Sequence, residues 1–123
     1  MLGDGTQTKS YLLAEECIDG IIYVLENTKL SEKEGYCDVF NIGAPDETPV
    51  IDIAKIVIEE MGIRNCQIRV KGDQRGWPGD QARIALDISK LSSLGWKPKH
   101  TSTEAVRIAV QRMLQDRLIG NRN

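Results

Sequence analysis

A glycine-rich loop and the lysine before it contain the residues of this chain that could hold a phosphate group. The loop from Gly72 to Asp80 reads Gly-Asp-Gln-Arg-Gly-Trp-Pro-Gly-Asp, with its glycines at positions 72, 76 and 79. Glycine lets a backbone approach a ligand closely, and Lys71 and Arg75 are charged donors of the kind that bind phosphate oxygens. The loop is therefore a candidate diphosphate clamp.

A purely structural turn explains the same loop. In that interpretation Trp77 and Pro78 pack on the core, and Arg75 pairs with Asp73 or Asp80. The Gly-Trp-Pro-Gly sequence at 76–79 also fits the G-x-x-G pattern of modules that bind single-stranded RNA, but strand-like flanks and a net charge of −2 disfavour nucleic acid as a ligand. The clamp and the turn both remain open from these residues alone.

Catalytic patterns are absent from the local sequence. Gly3-Asp4-Gly5 lacks the third glycine of a dinucleotide loop and has no buried strand before it, so a tight turn is the better interpretation. None of the three tyrosines is followed four residues later by lysine, and His100 is the only histidine. We find no nucleophile, base and acid in one pattern, so these residues predict no catalytic group.

Composition indicates one globular domain spanning residues 1–123. Hydrophobic residues make up 41% of the chain and charged residues 28%, with 16 basic and 18 acidic side chains intermixed. Three widely spaced cysteines and one histidine do not form a usual zinc site, so we expect reduced thiols in a cytoplasmic protein. The chain shows no membrane-spanning run or export signal, which predicts no membrane partner.

Apolar periodicity predicts the helices that position the loop. A helix over Ala14–Asn27 has apolar residues at three- and four-residue steps, which places Cys17 in the core. Thr48 offers an N-cap and Pro49 a first helical residue for a second helix, which Gly62 ends. This second helix is expected to be the most buried, with a stripe that includes Ile51, Ala54, Ile58 and Met61.

Two further helices and three strands complete the predicted fold. Asp87 caps a short helix that ends at Gly95, and Thr101 with Glu104 forms a capping box for the last helix. That helix has an apolar stripe of Val106, Ala109, Val110, Met113 and Leu114. The short segments 39–42, 67–70 and 84–86 have the composition of strands. The expected fold is α/β or α+β, with about four helices packed on a small sheet.

Four segments, taken in order, resemble the C-terminal half of extended short-chain dehydrogenases, especially NAD-dependent nucleotide-sugar epimerases of the UDP-glucose 4-epimerase type and related dehydratases. They cover nearly the whole chain in the order of that family. The segments are 3–11 (Gly-Asp-Gly-Thr-Gln-Thr-Lys-Ser-Tyr), 40–43 (Phe-Asn-Ile-Gly), 75–80 (Arg-Gly-Trp-Pro-Gly-Asp) and 86–98, which begins Leu-Asp-Ile-Ser-Lys and ends Leu-Gly-Trp-Lys-Pro.

The resemblance implies a lobe that binds a nucleotide-diphosphate sugar but is incomplete for catalysis. The Rossmann domain that holds NAD in that family, with its glycine-rich loop and Tyr-x-x-x-Lys pair, has no counterpart in these residues, so no cofactor is expected to bind this chain alone. Lys9 stands where the family carries an arginine that reaches the diphosphate. Arg75 and Asp80 belong to the segment matching the family's R-P-G-D motif, so Lys9, Arg75 and Asp80 are the implied substrate-binding residues.

Two departures from the family pattern bear on this site. Trp77 occupies the place of the motif arginine, and Arg75 lies two residues earlier. Residues 13–16 read Leu-Ala-Glu-Glu where the family has Tyr-Val-x-Asp, and no role is transferred to them. A different class of function also fits: a non-enzymatic interaction protein that kept the fold and pairs with itself or with a Rossmann domain through the surface that the missing domain would cover.

Overall fold

The computed structural model describes residues 3–29, 35, 37–72, 77 and 79–120. Four helices surround a three-stranded sheet whose strand order is β2-β1-β3. The central strand β1 is antiparallel to β2 and parallel to β3, with Lys9 opposite Thr48 and Ile84. This arrangement confirms the predicted class of four helices on a small sheet. The elements are β1 (Thr8–Lys9), α1 (Ala14–Asn27), β2 (Thr48–Pro49), α2 (Val50–Glu60), β3 (Arg83–Ile84), α3 (Ser89–Ser93) and α4 (Ser102–Gly120).

Two of the three predicted strands are wrong. Residues 39–42 and 67–70 form neither helix nor strand, and among the described residues no segment forms a backbone ladder with them. A strand requires a neighbour for its N–H and C=O groups, which apolar composition alone does not supply. The third strand is present at Arg83–Ile84, one residue earlier than expected.

The start of α2 also differs from its prediction. Thr48 and Pro49 form β2, Pro49 is the N-cap residue, and the helix begins at Val50. Thr48 does not cap the helix because its hydroxyl lies 2.7 Å from the hydroxyl of Ser102 and its backbone pairs with Lys9. The predicted stop is confirmed, since Gly62 adopts a left-handed φ of 63° after the last turn.

Helix α4 begins as the sequence indicates, whereas the N-cap residue of α3 is Ile88 rather than the predicted Asp87. Asp87 accepts the backbone N–H of Ser89 at 2.9 Å, and hydrogen bonds from the side chain and the backbone of Ser89 lower the pKa of the Asp87 carboxyl group. Thr101 accepts the backbone N–H of Glu104 at 3.2 Å, while Glu104 accepts that of Thr101 at 2.8 Å, which confirms the capping box. Within the predicted stripe of α4, Val106 is buried but Met113 is 70% exposed.

The apolar core is small and lies between the helices and the sheet. Its buried members come from nearly every part of the chain: Leu13, Ala44, Ile56, Leu91, Trp96, Ala105 and Val106. Ile56 is the buried apolar residue of α2, whose predicted stripe member Met61 is exposed. Helices α2 and α4 pack together, and Arg107 binds the carboxylates of Glu59 and Glu60 across that contact.

Helix α1 buries the face opposite to the predicted one. Its buried residues are Glu16 and Gly20, and Cys17 and Val24 are half-buried. Four aliphatic residues, which we call the α1 outer face, are exposed: Ile18, Ile21, Ile22 and Leu25. Gly20 lies against Trp96 and Ile42 so closely that a Cβ atom there would stand 3.0 Å and 3.1 Å from their side chains. Glu16 accepts the backbone N–H groups of Lys99 and His100 at 2.7 Å and 3.2 Å. The prediction followed apolar residues, but these hydrogen bonds and the close approach at Gly20 decide which face turns inward.

Candidate functional site

Strand β1 carries the first predicted site residue at the centre of the sheet. The Nζ atom of Lys9 lies 3.2 Å from Oδ1 of Asp80, and their side chains are 33% and 10% exposed. The two residues are 71 positions apart in sequence, and the parallel pairing of β1 with β3 brings them together. The structure therefore joins two of the three residues that the family resemblance implies.

The backbone on both sides of Lys9 is held by neighbouring elements. Thr8 donates its N–H to the carbonyl of Ala82 at 2.9 Å, and Ser10 donates its N–H to the carbonyl of Ile84 at 3.1 Å. Such bonds on either side of one residue fix the direction in which its side chain leaves the strand. Lys9 thus leaves the sheet from a constrained backbone position.

Sequence reasoning missed the contribution of Ser102. Its Oγ accepts the backbone N–H of Tyr11 at 3.0 Å and donates to the carbonyl of Lys9 at 3.4 Å. Ser102 and its partner Thr48 are both fully buried. The capping box at Thr101 marks where α4 begins, but nothing in the local sequence indicates that the next hydroxyl points back to β1.

The glycine-rich loop starts and ends beside the same N-terminal segment. Lys71 pairs with Gly3 in a two-way backbone bridge of 3.0 Å and 3.2 Å, and Asp80 reaches Lys9 at the other end. Gly79 adopts a φ of 92°, a left-handed conformation that favours glycine. Arg75 lies outside the described residues, so its predicted role as a phosphate ligand stays a prediction.

Trp77 and Asp80 bear on the interpretation of the glycine-rich loop as a purely structural turn. Trp77 is 60% exposed, so the expectation that it packs on the core is wrong. Asp80 pairs with Lys9, and its predicted alternative partner Arg75 lies outside the described part. The ammonium group of Lys9 has three N–H donors, and one of them faces the carboxylate of Asp80. The other two remain for a phosphate oxygen.

A second charged cluster fixes the edge of the sheet. Arg83 donates from Nε to both carboxylate oxygens of Glu47, at 2.7 Å and 3.0 Å, and Thr8 donates its hydroxyl to the same group at 2.5 Å. These hydrogen bonds, that of Arg83 first, lower the pKa of Glu47, and Glu47 in turn raises that of Arg83. The cluster links β1 and β3 to the residue that precedes β2, and it leaves Arg83 paired with Glu47.

Other features bear on cofactors and membranes. Within the described residues, no group of three or more His, Cys, Asp or Glu side chains is arranged to hold a metal ion, and no helix has the length and apolarity needed to cross a bilayer. The three cysteines are free thiols. A groove of about 560 Å³ lies away from Lys9 and Asp80, lined by Pro45, Leu86, Asp87, Ile88, Ser92, Lys97 and Pro98.

Known proteins similar to this chain identify the family to which it is related. The chain is 31% identical over 102 residues to GDP-L-fucose synthase of Sinorhizobium fredii, covering 83% of this chain and 29% of that protein. It is 32% identical over 104 residues to UDP-glucose 4-epimerase of Lactobacillus helveticus, with coverages of 84% and 29%. No protein-family model matches the chain.

Solved structures agree with these relatives. A UDP-galactose 4-epimerase superimposes with a TM-score of 0.69 at 30% identity, over 89% of this chain and 34% of that one. UDP-glucuronic acid 4-epimerase of Bacillus cereus, solved with UDP-glucuronic acid and NAD, gives a TM-score of 0.69 at 25% identity, over 94% and 34%. The fold and these similarities thus identify the chain as related to one part of the extended short-chain dehydrogenases of the nucleotide-sugar epimerase and dehydratase group.

More particularly, the chain is homologous to the C-terminal part of those enzymes, as the resemblance in its sequence implied. It spans about a third of the length of the relatives that it matches.

Proposed function

We propose that this chain is the lobe that binds the nucleotide sugar in an epimerase-like or dehydratase-like protein, with Lys9, Asp80 and Arg75 at the binding surface. The observation that carries the proposal is the 3.2 Å pair between Lys9, on the central strand, and Asp80, at the end of the glycine-rich loop, two positions that the family motifs imply. A lysine ammonium on a fixed backbone is a suitable partner for a diphosphate oxygen.

The site is half of a cleft in this proposal. Relatives about three times as long include structures solved with NAD, such as the epimerase of Bacillus cereus. We propose that NAD is held by a Rossmann-type portion outside these 123 residues, and that this chain alone binds the sugar nucleotide without converting it. The relatives differ in the nucleotide that their names give, GDP in one and UDP in the other, so the base is left open. Location in the cytoplasm is part of the same proposal.

The test is ligand-observed NMR with UDP-glucose and the purified chain. Saturation transfer to the nucleotide is expected for the wild type, and Lys9→Ala should weaken binding about tenfold because a charge-assisted hydrogen bond is lost. Lys55→Ala is the matched control, since Lys55 is an exposed lysine of α2 that pairs locally with Asp52. Equal transfer for the wild type and Lys9→Ala would contradict the role of Lys9, and no transfer at all would contradict the binding function.

A second candidate is an interaction protein without a substrate. The observation that favours it is the exposed aliphatic face of α1, which a protein stable by itself would ordinarily bury. Light scattering across a concentration series distinguishes the two classes. Self-association together with a flat UDP-glucose titration would favour the interaction protein over the binding lobe.

A further inference from the structure

Trp77 lies at the surface beside the Lys9–Asp80 pair. It is 60% exposed, although tryptophan is on average a largely buried residue. The other tryptophan of the chain, Trp96, is 4% exposed and donates its indole N–H to Asp19 at 3.2 Å. Burial of an aromatic ring is one of the larger contributions that a side chain makes to a core, and Trp77 does not make it. A role in the core therefore does not explain Trp77.

A turn connects Trp77 to the partner of Lys9. The carbonyl of Trp77 accepts the backbone N–H of Asp80 at 3.0 Å, which is the hydrogen bond of a β-turn. Gly79 has a φ of 92°, the left-handed conformation that a type II turn requires at its third residue. The first and last Cα atoms of a β-turn lie less than about 7 Å apart. Trp77 is therefore a neighbour of the Lys9–Asp80 pair, and the turn fixes its backbone position.

The indole ring of Trp77 lies against the backbone of this turn. A Cβ atom added at Gly79 would stand 3.5 Å from Cζ3 of Trp77, which is an ordinary van der Waals contact. The turn thus supports one side of the ring, and most of the remaining surface faces solvent. A side chain that is already held in place loses little conformational freedom when a ligand covers it.

An exposed indole beside an ammonium group fits a ligand that carries a flat aromatic ring near an anion. Aromatic side chains stack on nucleobases whatever the base, because every base has a π face. The ammonium group of Lys9 is a donor for phosphate oxygens. The hexose is a poorer partner for the ring, because its surface is rich in hydroxyl groups and an indole offers a single N–H donor. A nucleoside diphosphate supplies both the ring and the anion.

We propose that Trp77 is the stacking surface for the nucleobase of the nucleotide sugar, while Lys9 binds the diphosphate. The inference rests on the proposed function and adds to it a place for the base. Stacking tolerates different bases, so uridine and guanosine nucleotides should both bind. Because a purine overlaps the indole more than a pyrimidine does, GDP should bind about threefold more tightly than UDP.

Tryptophan fluorescence of the purified chain tests the contact. UDP, which has no hexose, should quench the emission of the wild type as strongly as UDP-glucose does. Inorganic pyrophosphate, which has no base, should leave that emission nearly unchanged. In Trp77→Leu the one remaining tryptophan is the buried Trp96, and its emission should not respond to UDP.

Calorimetric titration measures the affinity of the same ligands. Trp77→Leu should weaken UDP binding about tenfold, whereas Trp77→Phe keeps an aromatic face and should weaken it about threefold or less. Met113→Ala, at a 70% exposed position on α4, is the matched control and should bind UDP like the wild type. Pyrophosphate should bind Trp77→Leu like the wild type and should bind Lys9→Ala more weakly. Circular dichroism of each variant confirms that the chain is folded.

The two ligands separate a failure of stacking from a failure of the proposed function. Equal UDP affinity in the wild type and in folded Trp77→Leu would overturn the stacking role, while binding that depends on Lys9 would leave the proposed function standing. Quenching by UDP-glucose but not by UDP would place the hexose at Trp77 and would also overturn the assignment of the base. If neither UDP nor pyrophosphate bound the folded wild-type chain, both proposals would be overturned.

Discussion

The sheet side and the α1 side of the molecule differ in the kinds of residue that they bury and expose. Around β1 the buried groups include polar side chains, such as Thr48 and Ser102, whose relative exposure is 0%. On α1, by contrast, the aliphatic residues of the outer face are exposed while Glu16 is buried. The sheet side therefore gives these two buried hydroxyls hydrogen-bonding partners, although Oε1 of the buried Gln7 has none among the described residues. On the α1 side, the described part of the chain leaves apolar surface exposed.

The backbone that carries Lys9 is held by groups within this chain. Ser102 receives the N–H of Tyr11 and contacts the hydroxyl of Thr48, so the backbone around Lys9 is fixed without any partner. Buried hydroxyls are tolerated there because they have hydrogen-bonding partners. On the α1 side, by contrast, Ile18, Ile21, Ile22 and Leu25 stay exposed within the described part of the chain.

The two tryptophans give the largest expected contrast between a buried and an exposed position. Trp96 is 4% exposed and contacts Gly20 of α1, so Trp96→Ala should lower the free energy of unfolding by about 3–5 kcal/mol. Trp77 is 60% exposed, and Trp77→Ala should change the free energy of unfolding by less than about 0.5 kcal/mol. Urea denaturation followed by circular dichroism measures both. Similar losses in the two variants would contradict the assignment of Trp96 to the core.

Removing the buried hydroxyl of Ser102 should have the next largest effect. Ser102→Ala leaves the N–H of Tyr11 without its acceptor and should cost about 1–3 kcal/mol. Ser93→Ala is the control, because the Ser93 hydroxyl makes an exposed local bond to the carbonyl of Lys90 and its loss should cost much less. Equal stability of the two serine variants would contradict the role of the Ser102 hydroxyl in fixing β1.

Two isoleucines test the same comparison on the helices. Ile22→Gln on the α1 outer face should alter stability of the chain alone by less than about 0.5 kcal/mol. Ile56→Gln on α2 should be strongly destabilising, because Ile56 is 5% exposed and glutamine would bury an amide in an apolar site. Thermal unfolding compares the two variants. A large loss in Ile22→Gln would show that the α1 outer face is buried within the chain itself.

Acid should weaken the sheet edge through Glu47. Hydrogen bonds from Arg83 and Thr8 hold the pKa of Glu47 below its ordinary value of 4.5 in the folded chain. The stabilisation is therefore fully present above that value and is lost as pH falls through the lowered pKa of the folded state. Glu47→Gln should flatten the decline of stability on acidification below about pH 4.5. The same slope in the wild type and the variant would contradict this role.

Local signals in the sequence predicted the fold better than they predicted burial. The start of α4 at the Thr101 capping box and the stop of α2 at Gly62 each depend on residues only a few positions apart, and both predictions are confirmed. Burial of α1 was predicted wrongly because apolar spacing identifies a face but not the element that covers it. Segment 39–42 failed as a strand for the same reason, since its composition cannot supply a neighbouring strand.

The candidate site was predictable only in part. Family motifs identified Lys9 and Asp80, and the structure places them in contact, but their role with substrate stays a prediction. Ser102 was beyond local reasoning because its partners Lys9 and Tyr11 lie more than 90 residues away. Contacts at that separation depend on how the elements pack, which no short pattern encodes.

Amide signals of the chain, followed by NMR during titration with UDP-glucose, report whether the nucleotide sugar binds at the Lys9–Asp80 pair. We expect perturbations concentrated at Lys9, Asp80 and the glycine-rich loop 72–79, with α2 and α4 beyond their first turns unaffected. The perturbations should be lost in Lys9→Ala and retained in Lys55→Ala. Perturbations confined to other surfaces, or none up to saturating nucleotide sugar, would contradict the claim that this lobe holds the diphosphate at the Lys9–Asp80 pair.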